Sequence, residues 1–379
     1  MTLVILLSCV CPSYGQQLRC PESWYSPRAA VPHLYRQDTI TLRFFGDIMM
    51  HTSQIEDASR DDGTYSFDQY FRHLERFLDS SDLNIGNMEF TLGGEPYTGY
   101  PSFSAPDSFG QYLAECGFDV FLCANNHIFD KGRKGVERTL DRYRTLAKAY
   151  GTLFTGVAGN ESEQMQTTPL IVNIRGIRVA FVNATYGTNS PRESRWPMTN
   201  ILNDKEMLTE AMRRAEEKAD LTIVLPHWGV EYSPTHSSAQ REAAEWLVSQ
   251  GADVIIGTHP HVVQDSEIIR TGEKSVPVIY SLGNCVSNMS AKDTQTGLMA
   301  TVRITRDLNG DIRVLPAQFR YTWCSRPGGY STSYSVLPTT DFMENGDGWK
   351  GRWEFEKMKT SYERVMSETG IKETIRHNE

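Results

Sequence analysis

Short apolar runs alternate with longer stretches in which apolar residues recur at helical spacing. The runs are rich in Val, Ile, Leu and Phe, as buried strands are, and the alternation is typical of an α/β fold. The predicted β segments are residues 39–45, 81–85, 118–123, 169–174, 177–182, 221–225, 254–256, 263–270, 276–282, 298–305 and 312–321. The predicted helices are residues 67–78, 106–116, 133–150, 205–219, 239–250 and 353–371.

Five of the predicted strands are followed by side chains that can bind a divalent cation. These side chains are Asp47, Glu89, Asn126 with His127, His227, and His259 with His261. In open α/β sheets, ligands bind at the carboxyl ends of the strands. Each residue could instead have a purely structural role, as a helix cap, a turn residue or a loop histidine bonded to backbone. Their recurrence favours a metal site, and their number fits two metals that share a bridging carboxylate.

Composition limits the choice of partners. The chain has 379 residues and a formal net charge of -9, and no basic stripe offers the footprint that nucleic acid binding needs. Nucleic acid is therefore excluded as a partner. An acidic protein can attract an anionic substrate where bound cations invert the local potential.

The first residues, 1–15, have the apolar core and small residues of a secretory signal with cleavage before Gln16. Lipidation at Cys9 is a second option. Both place the protein outside the cytoplasm, in the periplasm or cell envelope. The remaining chain divides into a lead-in at 16–38, a main domain at 39–322 and an extension at 323–379 that carries a packed helix.

The ordered segments GDIMMH, NIGNMEF, ANNHIFDKG, HWGVEY, GADVIIGTHPHVVQ and YSLGN resemble the CapA family of capsule synthesis, which is associated with poly-γ-glutamate. That family is similar in fold to calcineurin-like metallophosphoesterases. The resemblance implies a four-layer α/β/β/α sandwich of two mixed sheets flanked by helices. It also implies divalent metal ions, with two Mn, Fe or Zn ions as the expected complement.

The resemblance further assigns roles to single residues. Asp47 and His261 would face one metal, and Glu89 would bridge to a second metal held by Asn126, His227 and His259. His127 would be the general acid that protonates the leaving oxygen. The sequence departs from the phosphoesterase pattern in three places. His51 lies four residues after the aspartate instead of two, glutamate replaces a bridging aspartate, and the usual Gly-Asn-His-Asp/Glu becomes Asn125-Asn126-His127-Ile128.

Two functions follow from the resemblance, and a third option, a cytoplasmic phosphatase, depends on the N-terminus being uncleaved. The first is a metal-dependent hydrolase that acts on an anionic envelope polymer, a phosphoester or a polymer precursor. The second is a non-catalytic component that binds the polymer during export or anchoring, with membrane partners of capsule synthesis. Aromatic residues near the strand ends either line a groove for substrate or pack the loops; they are Tyr97, Tyr100, Trp228 and Tyr232.

Overall fold

The computed structural model describes residues 38–192 and 195–374. The predicted signal segment and nearly all of the lead-in lie outside these residues. The strands are β1 Asp38–Ile48, β2 Leu83–Met88, β3 Val120–Leu122, β4 Leu153–Thr155, β5 Val157–Ala158, β6 Leu170–Ile174, β7 Ile177–Thr185, β8 Met198–Thr199, β9 Leu221–His227, β10 Val254–Ile256, β11 Ser266–Thr271, β12 Lys274–Ile279, β13 Asn284–Val286, β14 Thr296–Arg306, β15 Ile312–Val314, β16 Gln318–Ser325 and β17 Ser335–Pro338. The α-helices are α1 Thr52–Ala58, α2 Glu75–Asp79, α3 Asp107–Glu115, α4 Gly132–Tyr150, α5 Glu161–Thr167, α6 Lys205–Lys218, α7 Ser238–Ser249 and α8 Arg352–Thr369.

Two mixed sheets carry the fold. The first has nine strands in the order β17-β16-β14-β1-β2-β3-β4, with β13 and β15 attached to β1 and β14. The second has six strands in the order β11-β12-β10-β9-β7-β6. The central strands of each sheet run parallel, β1 to β4 in the first and β7, β9, β10 and β12 in the second. Their carboxyl ends therefore gather at one edge of each sheet.

Three apolar cores separate four layers. The middle core joins the sheets, with Phe44 and Ile85 of the first facing Phe181 and Ile223 of the second. A second core packs the other face of the first sheet against helices that include α3 and α4. A third packs the other face of the second sheet against α6 and α7. These layers confirm the predicted α/β/β/α sandwich.

The residues after 322 add to the same sandwich. Strand β16 runs across the predicted boundary at residue 322, and β17 pairs antiparallel with it at the edge of the first sheet. Helix α8 forms where the tail was expected to be helical. Its Val365 belongs to the middle core, and its Phe355 and Met358 pack with Trp323. Within the described residues no helix is both long and apolar enough to span a bilayer.

Two predicted elements are wrong in detail. Residues 67–78 do not form one helix: a 3-10 turn at Arg72–Leu74 leads into the short α2. The N–H of Tyr70 donates to Phe67 O and the N–H of Leu74 donates to Phe71 O, which are the i to i+3 bonds of 3-10 turns. The three-residue period of such turns resembles that of an α-helix. The segment 312–321 is divided into β15 and β16 around Pro316, because proline has no N–H for the ladder.

Candidate metal centre

The sandwich brings all the predicted site residues to one place. Asp47 lies near the end of β1, Glu89 directly follows β2, and Asn126 and His127 follow β3. From the second sheet, His227 is the last residue of β9, and the loop after β10 carries His259 and His261. All seven side chains are buried. The convergence that the sequence pattern predicted is therefore present, with groups supplied by both sheets.

Glu89 lies at the centre of the cluster. Its Oε1 is 3.6 Å from Nε2 of His227, 3.8 Å from Nε2 of His261 and 4.0 Å from Nε2 of His127. These separations are too long for hydrogen bonds. They suit an ion between the groups, because two bonds of about 2.1 Å to one cation hold the ligand atoms within about 4.2 Å.

The carboxylate of Glu89 has no hydrogen-bond partner on either oxygen among the described residues, although the side chain is fully buried. An isolated buried carboxylate is costly. Burial, followed by the charge of Asp47, raises the pKa of Glu89 well above its usual range. A hydrogen bond between the two carboxylates would need a proton between them, and a divalent cation would stabilise both in their charged form. This orphaned carboxylate shows that the residues fit a divalent cation.

Two sets of three ligand atoms lie within 4.8 Å of one another, Glu89 with His259 and His261, and Glu89 with Asp47 and His227. Glu89 belongs to both sets, as its predicted bridging role requires. The two sets divide the other ligands differently from the resemblance, because they group His259 with His261 and Asp47 with His227. Two short contacts lie within the pairs that the resemblance implies. His261 Nδ1 is 3.2 Å from Asp47, and His227 Nε2 is 2.8 Å from Oδ1 of Asn126.

Burial also sets the proton affinities of the imidazoles. It lowers the pKa of His227 well below its usual range and that of His259 to about 3, with the neighbouring histidines adding to both shifts. His261 is the exception. Burial opposes its charged form, but the hydrogen bond and charge of Asp47 outweigh burial and raise its pKa. The neutral His227 and His259 keep a lone pair for a metal.

The loop that carries two of these histidines is strained. His259 has φ 103° and His261 has φ 59°, in the left-handed region that non-glycine residues rarely adopt. Such conformations cost about 1–3 kcal/mol each and persist where the surroundings fix them, often at functional sites. Here the N–H of His259 donates to Asp47 Oδ2 at 3.3 Å, and His261 Nδ1 lies 3.0 Å from Oδ1 of Asn284.

His127, the predicted general acid, is held by a carboxylate that sequence reasoning did not assign. Nδ1 of His127 is 2.7 Å from Oδ2 of Asp130, three residues later. The same carboxylate oxygen accepts the N–H of Phe103 at 2.7 Å, and the Phe103 ring packs edge-on against His127 at 4.7 Å. The His-x-x-Asp spacing was the available signal. The pair leaves Nε2 of His127 facing Glu89.

Three asparagines form a supporting layer that the sequence analysis also missed. Asn87 donates to Asp47 Oδ1 at 2.7 Å and lies 3.2 Å from Nδ1 of His227. Asn284 holds His261, as described above. Asn183 of β7 accepts the N–H of Ala124 at 2.8 Å and so ties the second sheet to the end of β3. The signal for Asn87 and Asn284 was their position at strand ends.

His51 lies beside the site without joining either set of ligand atoms. Its Nδ1 is 3.1 Å from Gln54 Oε1 and accepts the N–H of Asn288 at 3.2 Å, and its ring packs against Phe103. Burial lowers its pKa to about 4. These contacts give His51 a packing and capping role at the start of α1.

The predicted aromatic residues separate into two groups. Trp228 is buried, and its Nε1 donates to Tyr280 O at 3.0 Å, while Tyr97 packs edge-on against Tyr65. Tyr100 and Tyr232 instead remain exposed at the mouth of the site. A third exposed tyrosine there, Tyr186, was missed because its loop gave no local signal.

The fold and these contacts together define a four-layer α/β protein with a candidate divalent-metal centre where the strand ends of its two sheets meet. The family of bacterial capsule synthesis proteins PGA_cap matches residues 41–289, and the chain belongs to that family. The capsule biosynthesis protein CapA of Bacillus anthracis is 29% identical over 302 residues, 76% of this chain and 70% of that protein. The PGA biosynthesis protein CapA of Bacillus subtilis is 26% identical over 304 residues, 77% of this chain and 75% of that protein.

Solved structures with related folds are more distant. The NAD nucleotidase of Haemophilus influenzae has a TM-score of 0.46 and 11% identity, covering 87% of this chain and 63% of that protein. A 5′-nucleotidase of Candida albicans has a TM-score of 0.43 and 14% identity, covering 86% of this chain and 58% of that protein. At these scores the likeness carries no conclusion about activity, and family membership rests on the sequence match.

Proposed function

We propose that this capsule synthesis protein is a metal-dependent hydrolase of phosphoesterase type, acting on an anionic envelope polymer or its precursor. The observation that carries the proposal is the buried carboxylate of Glu89, which has no hydrogen-bond partner within residues 38–192 and 195–374 and is surrounded by three imidazole Nε2 atoms. Without a cation this carboxyl would stay buried only in its protonated form and without a hydrogen-bond partner, whereas a bound cation would stabilise its charged form. Poly-γ-glutamate is one candidate polymer, because a relative is named for the biosynthesis of PGA.

The residues present would hold the cations as follows. Glu89 would bridge two ions, with Asp47 and His261 on one side and Asn126, His227 and His259 on the other. Bound divalent cations supply Lewis acidity and acidify water in displacement chemistry. A pair of them outweighs the two carboxylates, so the pocket would be positive towards an anionic substrate.

His127 supplies the acid of this proposal. Its Nδ1 is fixed by Asp130, so Nε2 is the nitrogen that faces the reaction space. A protonated Nε2 would donate its proton to the leaving oxygen, and a positioned acid of this kind contributes about 10²–10⁴-fold to a rate. Asn189 lies 3.4 Å from the same nitrogen and closes that side of the pocket.

Export is part of the proposal. The apolar N-terminal segment supports secretion or lipid anchoring, and membership in a capsule synthesis family supports action in the cell envelope beside membrane partners. Sequencing the mature N-terminus tests this directly. Cleavage before Gln16 or lipidation at Cys9 is the expected result, and an intact Met1 would contradict it.

Metal content and turnover together test the hydrolase. The protein is purified without chelator, its metals are measured by elemental analysis, and hydrolysis of bis(p-nitrophenyl) phosphate and of γ-glutamyl peptides is assayed. His127→Gln should retain the metals and lose turnover, while His236→Gln, which removes a histidine that is paired with Asp265 and belongs to neither set of candidate ligands, should change neither. A metal-loaded wild type that hydrolyses neither compound would instead favour a non-catalytic polymer-binding or anchoring component.

A further inference from the structure

Three exposed tyrosines surround the mouth of the metal centre, and each lies against a different histidine of the site. The Tyr186 ring is 4.6 Å from the ring of His259. Tyr232 is 6.3 Å from His261, and Tyr100 is 6.5 Å from His127. These tyrosines are 43%, 44% and 71% exposed. Their loops come from three separate parts of the chain, so the tertiary structure, and not proximity in the sequence, brings the three tyrosines together.

Tyr232 is held in a conformation that its own preferences oppose. It has φ 65°, and its N–H donates at 2.8 Å to the carbonyl of Pro260, which lies between His259 and His261. A bulky residue in the left-handed region is an outlier that indicates an imposed position. The loop that carries Tyr232 is therefore fixed to the loop that carries the candidate ligands, and the ring is presented to solvent beside them.

The charge beside these rings is negative. Glu231 is exposed next to Tyr232, and after burial its charge is the next cause that raises the pKa of both Tyr186 and Tyr232. A chain with a carboxylate on every residue would be repelled by Glu231 and has no flat face for the rings. A sugar complements both the rings and the carboxylate, because its C–H face stacks on an aromatic ring and its hydroxyls donate to a carboxylate.

We propose that Tyr100, Tyr186 and Tyr232, with Glu231, form an aromatic rim that binds the sugar units of a glycan-bearing substrate. The scissile ester of that substrate would lie at the metal centre, and this part rests on the proposed function. Anionic charge would be concentrated at the ester, where the cations lie, and neutral sugar rings would occupy the rim. The substrate class is then a phosphorylated or esterified glycan, in preference to a polyglutamate chain.

Calorimetric titration of the full chain tests the rim without requiring turnover. The probes are a neutral N-acetylglucosamine trisaccharide and a γ-glutamyl tripeptide. The trisaccharide should bind the wild type, and Tyr100→Ala, Tyr186→Ala and Tyr232→Ala should each weaken it by about tenfold. Tyr150→Ala is the matched control, since Tyr150 is 41% exposed but bonds to Glu115 on the helical face. The tripeptide should bind more weakly, with an affinity that the rim variants do not change.

Metal content is measured in every variant to show whether the metal centre is intact. Tyr100→Ala tests the rim at its most exposed position. The inference is overturned if the trisaccharide does not bind, if the rim variants bind it as the wild type does, or if the tripeptide binds through the rim. Turnover of bis(p-nitrophenyl) phosphate is measured in parallel. If sugar binding depends on the rim but no turnover is found, the proposed hydrolase activity is refuted and the sugar-binding rim is retained.

Discussion

Asp130 accepts hydrogen bonds from both the imidazole of His127 and the backbone N–H of Phe103, each at 2.7 Å. One carboxylate oxygen thus fixes the orientation of the histidine and the position of the loop that packs against it. The fixed tautomer leaves Nε2 of His127 directed at Glu89, 4.0 Å away. The loop at Phe103 and the candidate general acid His127 are therefore positioned by the same buried carboxylate.

Replacing Asp130 should disturb the orientation of His127 more than the binding of substrate. Asp130→Asn keeps the volume but removes the negative charge and one acceptor, so His127 loses its preferred tautomer. We expect kcat for phosphodiester hydrolysis to fall by on the order of 10²-fold with little change in KM. Asp265→Asn is a matched control, because Asp265 likewise lies 2.9 Å from a histidine, His236, and neither residue belongs to a candidate set of metal ligands. Equal losses in the two variants would contradict a positioning role.

The metal stoichiometry should depend on which residue is removed. Because Glu89 belongs to both candidate sets of ligands, Glu89→Gln should abolish binding at both positions. His227→Ala and His261→Ala should each weaken mainly one of two ions, by more than the about 10–100-fold that loss of an outer-shell partner of a ligand costs. Elemental analysis after dialysis against Mn²⁺ measures this. A single ion per chain in the wild type, lost equally in all three variants, would argue for one metal.

The metal-free protein should become less stable as pH rises, because of Glu89. Burial and Asp47 raise its folded-state pKa above the ordinary 4.5, so the folded state retains a proton that the unfolded state releases. The stabilisation is complete below the ordinary pKa and decreases by about 1.4 kcal/mol per pH unit as pH rises toward the folded-state value. Glu89→Gln removes this dependence.

Urea unfolding of chelator-treated wild type and Glu89→Gln between about pH 5 and pH 8 measures this difference. The wild type should lose stability relative to the variant as pH increases, and Mn²⁺ should restore it in the wild type alone. The buried histidines contribute to both proteins, so the comparison isolates Glu89. A difference that does not change with pH would contradict the assignment.

Asn183 should matter for stability although it touches no candidate ligand. Its Oδ1 accepts the N–H groups of Cys123 at 3.1 Å and Ala124 at 2.8 Å, and its Nδ2 donates to Leu225 O at 2.8 Å. In Asn183→Ala the N–H of Cys123 keeps Thr155 O at 3.0 Å, but the buried N–H of Ala124 loses its bond to Asn183, and the free energy of unfolding should fall by about 3 kcal/mol. Asn173→Ala, at an exposed hairpin position with one bond to Gly176, should cost less than about 1 kcal/mol. Similar losses in urea unfolding would contradict the claim.

Local pattern predicted most elements of the fold. Helix α4, with its regular apolar face, was predicted to within a residue. The hairpin of β6 and β7 was predicted with its turn at Arg175 and Gly176, but β7 runs three residues beyond the predicted end at residue 182. The predicted helix at 67–78 was wrong because i to i+3 turns bury Phe67, Tyr70 and Phe71 at a spacing that an α-helix would also give. The spacing of apolar residues indicates which side chains are buried, but it does not distinguish an α-helix from a series of turns.

The sequence by itself determined that strands and helices alternate, that cation-binding side chains follow the strands, and which family the motifs resemble. These properties are local, because a strand end and its next residues are contiguous in the chain. Only the tertiary structure decided that three Nε2 atoms surround Glu89, that Asp130 holds His127, and that Tyr186 joins Tyr100 and Tyr232 at the mouth. Such relationships depend on distances set by strand order and sheet packing, which no short stretch of residues encodes.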